Sequence, residues 1–403
     1  MEKSLRGIFQ SGYEDFHRNH GVSRDQHTAA HAIMTCCTEE TGTTEWICPE
    51  DNTIVIDHHC CRHRSCPRCH AARTKEWLAT MEQRLLPCDH FHLVFTLPHE
   101  LNALWSYNRR WCSDHLMRAG AETLQQLLRD ERHLGAEVGI IAALHTWGRT
   151  LSFHPHVHLL VSGGGLKGTE WKGAGHDYLL PVAVIKAKFR GKWLAWLNEA
   201  SAEGALSLPP DWDEARWLCV LRDIAKSDWN VRIQGAYRQG QGVAAYLARY
   251  ARGGPMKDYR LVEVAPEQVA FRYHSHQDGR EHIMRLDTER FIARVLWHVP
   301  PKGQHTVRYY GLYVPNAQAK RNLARDALGE MPEVPVTAER RERSCPRCGH
   351  RMWLLERHHG KISSNSQAAV QQYVEAAATE PESLPGSLSE RSPPSFFDRL
   401  AAA

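Results

Sequence analysis

The sequence predicts an α+β protein, in which an antiparallel sheet carries helices on one face and follows a module rich in cysteine and histidine. Residues 90–98, 139–146 and 151–161 are rich in β-branched and aromatic side chains and largely alternate in polarity, which is typical of strands. Residues 100–130 have helical stripes of leucine. This order of strand, helix, strand and strand favours a compact antiparallel sheet.

Four segments are predicted along the 403 residues, which are ample for a sizeable core. Residues 1–85 form the N-terminal zinc-binding module, and residues 86–315 form the sheet domain. Residues 316–360 are a basic segment with a second cysteine knuckle. Residues 361–403 are dominated by Ser, Pro, Ala and Glu, which predicts a disordered tail.

Cysteine content and hydropathy indicate the compartment. No run of about 18 apolar residues is present, so we expect no membrane span. The first 13 residues are polar and lack the apolar stretch of a signal peptide. We therefore expect a bacterial cytoplasmic protein, whose 12 cysteines serve as metal ligands and buried thiols rather than disulfides. The net charge of +4 permits an anionic partner without requiring one.

The clearest metal motif is a dense cluster of cysteine and histidine between residues 36 and 70. Its Cys66-Pro67-Arg68-Cys69 knuckle places two thiolates on one ion, and zinc prefers four such sulfur or nitrogen ligands in a structural site. The spacing does not decide between Cys36 and Cys37, nor between Cys60 and His63. The candidate zinc ligands are Cys36, Cys48, Cys61, His63, Cys66 and Cys69.

Basic residues are interleaved with this cluster, at Arg62, Arg64 and Arg68. A loop that is held by zinc and carries several arginine side chains is suited to contact phosphate groups, as in a DNA-binding surface. An ordinary solvated face would have the same composition. We therefore keep both interpretations of these arginines.

A second knuckle, Cys345-Pro346-Arg347-Cys348, predicts a second zinc ion near the end of the chain. It lacks a second CxxC close by. Its remaining ligands are therefore open, with His350, His358 and His359 as candidates by proximity.

Residues His154-Pro155-His156-Val157-His158 predict a different metal centre. Side chains alternate along a strand, so the three imidazoles share one face, and neutral imidazole is the commonest ligand of divalent metals. His154 and His158 would lie about 13 Å apart, at roughly 3.3 Å per residue, which is too far for one ion. The expected ligands are His156 and His158, with His145 of the adjacent strand as the third.

Two tyrosines stand four residues apart in a predicted helix of residues 243–252. Tyr246 and Tyr250 would therefore present their phenols on one helix face, with Arg249 and Arg252 beside them to contact phosphate. A pair of half-buried aromatic side chains would show the same spacing. The catalytic interpretation depends on the metal centre.

A metal on imidazoles together with two phenols suits phosphodiester transfer. The ion, Mg²⁺ or Mn²⁺, would polarise the scissile phosphate, and a tyrosine oxygen would attack phosphorus to give a 5′-phosphotyrosine. Two tyrosines permit two covalent linkages, so that one strand can be cut, held and exchanged. Other hypotheses are a plasmid replication initiator or relaxase with the same site, a non-catalytic zinc-dependent DNA-binding regulator, and a hydrolase with a zinc on three histidines.

The chain resembles the HUH endonuclease superfamily of rolling-circle enzymes. More closely, it resembles the bacterial rolling-circle insertion-sequence transposases of the two-tyrosine, IS91-like family. The matching stretches, in the family's order, are residues 61–69, 91–98, 145–148 leading into 154–158, 189–192, 246–250 and 308–312. The resemblance implies that the zinc module and the HUH domain recognise element ends and act on single-stranded DNA and target DNA.

Three positions depart from the pattern of that family. Asp51 stands where its zinc modules usually have the second cysteine of a CxxC near Cys48, which leaves the ligand set open. Arg149 occupies the turn before the histidine strand, where a neutral polar residue is expected. Glycines follow Tyr250 where relatives continue with a longer basic and apolar segment.

Overall fold

The computed structural model of the chain describes residues 2–175, 179–237, 243, 254–275, 277–329 and 342–359. The described residues form two compact units. The first takes in described residues of 1–30 and 70–335, and the second those of 31–69 and 336–403. Each unit has its own sheet.

Nine helices of four or more residues have their bounds within the described residues, and they are numbered here in chain order. They are α1 (Leu5–Asn19), α2 (Arg24–Thr35), α3 (Pro67–Glu82), α4 (Asn102–Tyr107), α5 (Arg109–Arg129), α6 (Val182–Ala202), α7 (Glu214–Lys226), α8 (Thr288–Trp297) and α9 (Gln318–Leu328). Over the part of the chain that the structure covers, no helix is both long and apolar enough to span a bilayer.

Twelve strands are present in the same residues. They are β1 (Thr43–Ile47), β2 (Ile54–His58), β3 (His90–Thr96), β4 (Glu137–Trp147), β5 (Phe153–Lys167), β6 (Glu170–Gly173), β7 (Asn230–Tyr237), β8 (Leu261–Val264), β9 (Gln268–His274), β10 (Glu281–Asp287), β11 (Val307–Gly311) and β12 (Trp353–His358).

The main sheet of the first unit has the strand order β11-β4-β5-β3-β7, and β6 pairs with β5. Every neighbouring pair is antiparallel. The predicted α+β class with an antiparallel sheet is therefore confirmed. The two longest strands, β4 and β5, lie side by side in the interior of the sheet, where a neighbouring strand pairs with each of their two edges.

One face of this sheet is the main core of the unit. Odd-numbered residues of β5, such as Val157 and Leu159, are fully buried against α5 and α6, because successive strand side chains point to opposite faces. Gly120 of α5 lies so close to Leu159 that a Cβ there would approach it to 2.9 Å. The predicted helices do cover this face.

The opposite face is only partly covered, which corrects the prediction that helices lie on one face alone. The end of α3 and helix α9 pack a smaller core there, with Trp77, Leu160 and Ala324 among its members. Beyond that core the even-numbered histidines of β5 occupy the face. Helical periodicity in the sequence does not indicate which face of the sheet a helix will cover, so the positions of α3 and α9 could not be predicted from it.

The central strand extends well beyond the histidines. Strand β5 continues to Lys167, and the chain then turns back into β6. Three consecutive glycines fit here because the partner strand approaches closely. A Cβ on Gly164 would meet the carbonyl oxygen of Lys172 at 2.6 Å.

A second sheet of the first unit has the order β10-β9-β8. Strands β9 and β10 pair from Gln268 with Asp287 to His274 with Glu281. Helix α8 follows directly, and Asp287 caps it by accepting from the backbone N–H of Arg290. Helix α1 packs on α8.

The second unit has a three-stranded sheet in the order β12-β1-β2. Strand β12 pairs with β1 from Thr43 with His358 to Ile47 with Trp353. This differs from the predicted boundaries, which assigned residues 316–360 to a segment of their own and residues 1–85 to one module. Pairing between two strands as distant in the chain as β1 and β12 leaves no local signal in the sequence.

Acid is expected to destabilise the first unit through His90, which is fully buried on β3. Its Nδ1–H donates to the carbonyl of Cys88 at 2.9 Å, and the hydroxyl of Tyr313 faces Nε2. Burial lowers the pKa of His90 to about 4. An unfolded histidine has a pKa near 6.5, so only the unfolded chain takes up a proton between these values, and stability falls as pH drops from about 6.5 to 4.

The loss from His90 alone is at most roughly 3 kcal/mol, at 1.36 kcal/mol per pKa unit. The measurement is the unfolding free energy in denaturant at pH 7 and pH 5. We expect His90→Gln to flatten the difference between the two pH values, because glutamine does not titrate. An unchanged pH dependence in that variant would refute the assignment.

Candidate functional site

Three imidazoles meet on the partly covered face of the main sheet. His145 of β4 pairs in register with His156 of β5, and His158 follows on the same face. Ring nitrogens of the three residues all lie within 4.8 Å of one another. His145 and His158 are buried, at 6% and 5% exposure, whereas His156 is half-buried. The structure thus brings together the three histidines that the sequence proposes as metal ligands.

Hydrogen bonds fix how two of these rings point. The Nδ1–H of His156 donates to the backbone carbonyl of His154 at 2.7 Å. The Nδ1 of His158 lies 2.9 Å from Nε2 of His92 on β3. Both Nε2 atoms are thereby turned toward each other, 3.1 Å apart. A histidine ligand is usually oriented in this way, by a partner at its other nitrogen.

The spacing fits a single divalent ion. Two nitrogens at about 2.1 Å from a metal lie roughly 3.0 to 3.4 Å apart in octahedral or tetrahedral coordination. The 3.1 Å between the Nε2 atoms of His156 and His158 falls in this range. His145, His156 and His158 could therefore hold a metal on three imidazole nitrogens, a donor set that suits Mn²⁺ or Zn²⁺ better than Mg²⁺.

The electrostatics favour the neutral form of His156 and His158. Burial lowers the pKa of His156 to about 3, and the neighbouring His145 lowers it further in the same direction. Burial, followed by the charges of His145 and His156, also lowers the pKa of His158 well below its usual value. Neutral imidazole is the form that binds a metal, so His156 and His158 need no deprotonation at neutral pH.

His154 lies apart from the three. Its side chain is exposed, its ring centroid is 5.3 Å from that of His156, and no nitrogen of it belongs to the compact group. The hydrogen bond between these two residues is accepted by the backbone carbonyl of His154 and not by its ring. This agrees with the strand spacing, which separates His154 from His158.

His92 is a site residue that the sequence analysis did not identify. It is buried, and burial lowers its pKa to about 4, so it can accept the proton of His158 Nδ1. The signal was the alternation of His90 and His92 along the strand of residues 90–98. Placing His92 beside His158 also requires the pairing of β3 with β5, which the sequence does not state.

We expect His92→Ala to weaken metal binding about 10- to 100-fold, because a partner at the second nitrogen holds the ligand in place. Calorimetric titration of the protein with Mn²⁺ measures this effect. His92→Gln keeps an acceptor near Nδ1 and should recover part of the affinity. Equal affinities in the wild type and His92→Ala would show that His92 only packs.

The histidines form the floor of a cleft of about 1030 Å³. Main-sheet residues line its floor, and β9, β10 and the chain before β8 supply its wall. Its cationic and aromatic lining residues outside the histidines are Trp147, Arg149, Arg232, Lys257, Tyr259, Arg260, Arg272 and Tyr273. This composition suits a chain of phosphates and bases.

Arg260 holds the wall together. Its guanidinium donates to the carbonyls of Pro255, Arg272 and Arg149, at 3.0, 3.1 and 2.6 Å. Arg149 in turn donates to the carbonyl of His274 at 2.7 Å. The arginine that departs from the family pattern is thus built into the wall of the cleft beside the histidines.

Tyr246, Tyr250, Arg249 and Arg252 lie outside the residues that the structure describes. Among the described residues that precede and follow them in the chain, Gln234 and Gly254 line the cleft.

In the second unit, four cysteines form a compact group: Cys36, Cys61, Cys66 and Cys69. The sulfur of Cys69 lies 3.5 Å from those of both Cys36 and Cys61. Sulfurs at about 2.3 Å from a tetrahedral zinc are about 3.8 Å apart, so the group could hold one zinc ion. The thiol of Cys61 hydrogen-bonds to Cys66 and lowers the pKa of Cys66 to about 5.

The structure resolves the choice between neighbouring residues at this group. Cys36 belongs to it and Cys37 does not. Cys60 lies 3.9 Å from Cys37, and the Nδ1 of His63 accepts from the backbone N–H of Ser65. Among the described residues, neither Cys60 nor His63 is part of the four-sulfur group.

A second group in the same unit contains Cys48, Asp51, Cys345 and Cys348. Cys48 was expected beside the first group, but it lies 3.4 Å from the sulfur of Cys348. The candidate histidines for the second knuckle are not part of this group. The Nε2 of His358, for example, lies 3.5 Å from Glu45.

Arg62, Arg64 and Arg68 surround the first cysteine group. Arg62 and Arg68 are exposed and Arg64 is half-buried. Arg62 has a positive φ of 55°, and its backbone N–H donates to the sulfur of Cys69 at 3.2 Å. The loop that carries these arginines is therefore shaped around the cysteines.

Comparison with known proteins finds two family models that match the chain. Residues 139–321 match the family model described as "Putative transposase". Residues 8–97 match the model described as "Transposase zinc-binding domain", of the IS91 type. No solved structure matches the chain.

Two relatives cover most of the chain. The "Putative transposase y4qJ" of Sinorhizobium fredii is 35% identical over 342 residues, which is 82% of this chain and 85% of the relative. The "Transposase for insertion sequence element IS801" of Pseudomonas savastanoi pv. phaseolicola is 30% identical over 291 residues, or 69% of this chain and 68% of the relative.

The antiparallel α+β fold, the cysteine groups and these matches define a DNA-processing protein of the transposase class. The chain belongs to the IS91-like family of insertion-sequence transposases, with an N-terminal zinc-binding domain. The resemblance inferred from the motifs is confirmed.

Proposed function

We propose that the protein is a rolling-circle transposase that nicks and rejoins single-stranded DNA at element ends by metal-assisted attack of a tyrosine. The observation that carries this proposal is the cluster of His145, His156 and His158 at the floor of a cationic cleft. Such an arrangement can bind a divalent ion and a phosphodiester side by side. In this proposal the first unit is the HUH endonuclease domain.

The roles of the described residues follow from their positions. His156 and His158 supply two ligand nitrogens, His145 the third, and His92 orients His158. The bound Mg²⁺ or Mn²⁺ would withdraw charge from the scissile phosphate. Arg149, Lys257 and Arg272 in the wall would hold neighbouring phosphates, while Tyr259 and Tyr273 offer faces on which bases can stack.

Tyr246 and Tyr250 are the proposed nucleophiles. The phenol oxygen of one attacks phosphorus, the bond from phosphorus to the 3′ oxygen breaks, and the 5′ phosphate becomes linked to tyrosine. The phenol proton is lost and the 3′ oxygen gains a proton, so the step needs no other reactant. Attack by a 3′ hydroxyl on the phosphotyrosine reverses the bond change and joins strands.

The second unit is proposed to contribute recognition. One structural zinc would be held by Cys36, Cys61, Cys66 and Cys69, because the four sulfurs lie within 4.8 Å of one another and zinc prefers four such ligands in a structural site. Arg62, Arg64 and Arg68 around it, with Arg249 and Arg252 of the first unit, are proposed to contact the DNA backbone.

Single-stranded oligonucleotides of an element end test the function. With Mn²⁺ or Mg²⁺, a 3′-labelled strand should become covalently attached to the protein, whereas a 5′-labelled strand should be released shortened. EDTA should prevent both, and the double-stranded form should react less. The absence of any adduct across several end sequences would rule out the nuclease proposal.

A further inference from the structure

The second group of ligating side chains in the second unit is compact and mixed. It contains three sulfurs and one carboxylate, from Cys48, Asp51, Cys345 and Cys348, all within 4.8 Å of one another. Cys48 and Asp51 come from the connection between β1 and β2, and the other two come from the knuckle before β12. The matched zinc-binding model ends at residue 97 and does not reach that knuckle.

The distances in this group fit a bound ion. The sulfurs of Cys48 and Cys348 are 3.4 Å apart, and the sulfur of Cys345 is 3.5 and 3.6 Å from the oxygens of Asp51. Tetrahedral zinc, with sulfur at about 2.3 Å and oxygen at about 2.1 Å, separates its ligands by about 3.5 to 3.8 Å. A disulfide requires a sulfur separation of about 2.05 Å, which this group does not have.

The surroundings resemble those of a structural site. Cys48 and Cys345 are buried and pack with Met352, and Trp46 and Val55 cover them. The backbone N–H groups of Thr53 and Arg347 hold two ligands in place. Thr53 donates to Asp51 at 3.0 Å, and Arg347 donates to the sulfur of Cys345 at 3.4 Å.

We propose that Cys48, Asp51, Cys345 and Cys348 bind a second zinc ion, with Asp51 as the oxygen ligand. Asp51 follows Cys48 at the spacing of a CxxC knuckle, so its carboxylate occupies the place of the fourth thiolate. The departure from the family pattern is thus a change of ligand rather than the loss of a site.

This ion attaches the C-terminal segment to the rest of the second unit. Cys48 and Cys348 are 300 residues apart in the chain, and the pairing of β12 with β1 lies beside them. Because the ligands meet only in the folded unit, zinc binding and the docking of residues 342–359 stabilise each other. The site is independent of the proposed nuclease chemistry.

Metal analysis of the full chain tests the proposal. After removal of loose metal, elemental analysis should find two zinc ions per wild-type chain, one for each group. Cys345→Ser with Cys348→Ser should bind one. Cys219→Ser, a cysteine outside both groups, is the matched control and should keep two.

The proposed role of Asp51 as a metal ligand is tested by counting the thiolates that bind the metal. In the cobalt-substituted protein, the charge-transfer absorption of thiolate to cobalt should grow from seven thiolates in the wild type to eight in Asp51→Cys. Asp51→Ala should lower the affinity of the second zinc by at least about 10-fold, in competition with a chromophoric chelator.

Three results would overturn the proposal. One is a wild-type chain that holds the same amount of zinc as the Cys345→Ser/Cys348→Ser variant. Another is equal cobalt absorption in the wild type and Asp51→Cys. The third is a mass two hydrogens below that of the reduced chain, together with a peptide map that places the disulfide between Cys48 and Cys348. Far-UV circular dichroism identifies any variant that is unfolded, and the DNA adduct assay reports on the nuclease separately.

Discussion

Changing His156 and His158 together to alanine is expected to abolish the covalent attachment of single-stranded DNA, lowering its rate by at least about 1000-fold. That factor corresponds to about 4 kcal/mol, which is the order that a metal contributes to the stabilisation of developing phosphate charge. The reason lies in the geometry. These residues provide two of the three clustered imidazoles, and their Nε2 atoms are 3.1 Å apart.

His154→Ala is the matched control. It removes an imidazole from the same strand and the same face, but the His154 ring is exposed and lies outside the group. The contact of His154 with His156 uses its backbone carbonyl, which alanine retains. We therefore expect His154→Ala to keep metal affinity and adduct formation within about threefold of the wild type.

The manganese affinity and the rate of adduct formation of His145→Ala should lie between those of the double variant and those of His154→Ala. Two histidine ligands remain in this variant, and water can take the third position. Manganese titration and the adduct assay give both readouts. If His154→Ala were as damaging as the double variant, the ligand assignment would be wrong. If none of the variants changed the rate, a metal-independent reaction would replace the proposal.

The second large effect is expected at the tyrosines. Tyr246→Phe with Tyr250→Phe should eliminate the covalent adduct entirely, because phenylalanine has no oxygen to attack phosphorus. Manganese affinity should stay within about threefold of the wild type, since neither phenol is a proposed metal ligand. The combination of normal metal binding and no adduct distinguishes loss of the nucleophile from loss of the metal.

Tyr259→Phe is the control for this experiment. Tyr259 lines the same cleft and is 71% exposed, so it is a phenol accessible to DNA. We expect it to keep the adduct. An adduct that persists in Tyr246→Phe/Tyr250→Phe and disappears in Tyr259→Phe would move the nucleophile to the wall of the cleft.

The single variants separate the roles of the two tyrosines. If each phenol attacks in a different step, Tyr246→Phe and Tyr250→Phe alone should each retain one of nicking and strand joining. Equal loss of both steps in each single variant would indicate that the two phenols act together. A regulator without catalysis would retain full DNA binding in every tyrosine variant and never form an adduct.

Much of the site was predictable because its signals are local. The alternation at residues 154–158 places His156 and His158 on one strand face, whatever the rest of the fold. The four-residue span Cys66–Cys69 brings two sulfurs together through a tight turn. The motif order along the chain predicted the IS91-like family, which the comparisons confirm.

Other features depended on which strands pair. His145 and His92 join the histidine cluster because β4 and β3 flank β5 in one particular register, with His145 beside His156 and Val94 beside His158. A shift of one residue would turn every histidine to the other face. The sequence suggested the hairpin of β4 and β5, but it did not place β3 on the far side of β5.

The sequence by itself therefore determined the family, the antiparallel α+β class, the histidine pair and the first cysteine knuckle. Only the tertiary structure decided that His92 supports His158, that Cys48 leaves the first cysteine group, and that Asp51 meets Cys345 and Cys348. The physical reason is the distance along the chain between the residues that interact. Spacing within a strand or turn is set by bond geometry over a few residues, whereas contacts between distant segments depend on how the whole unit buries its apolar surface.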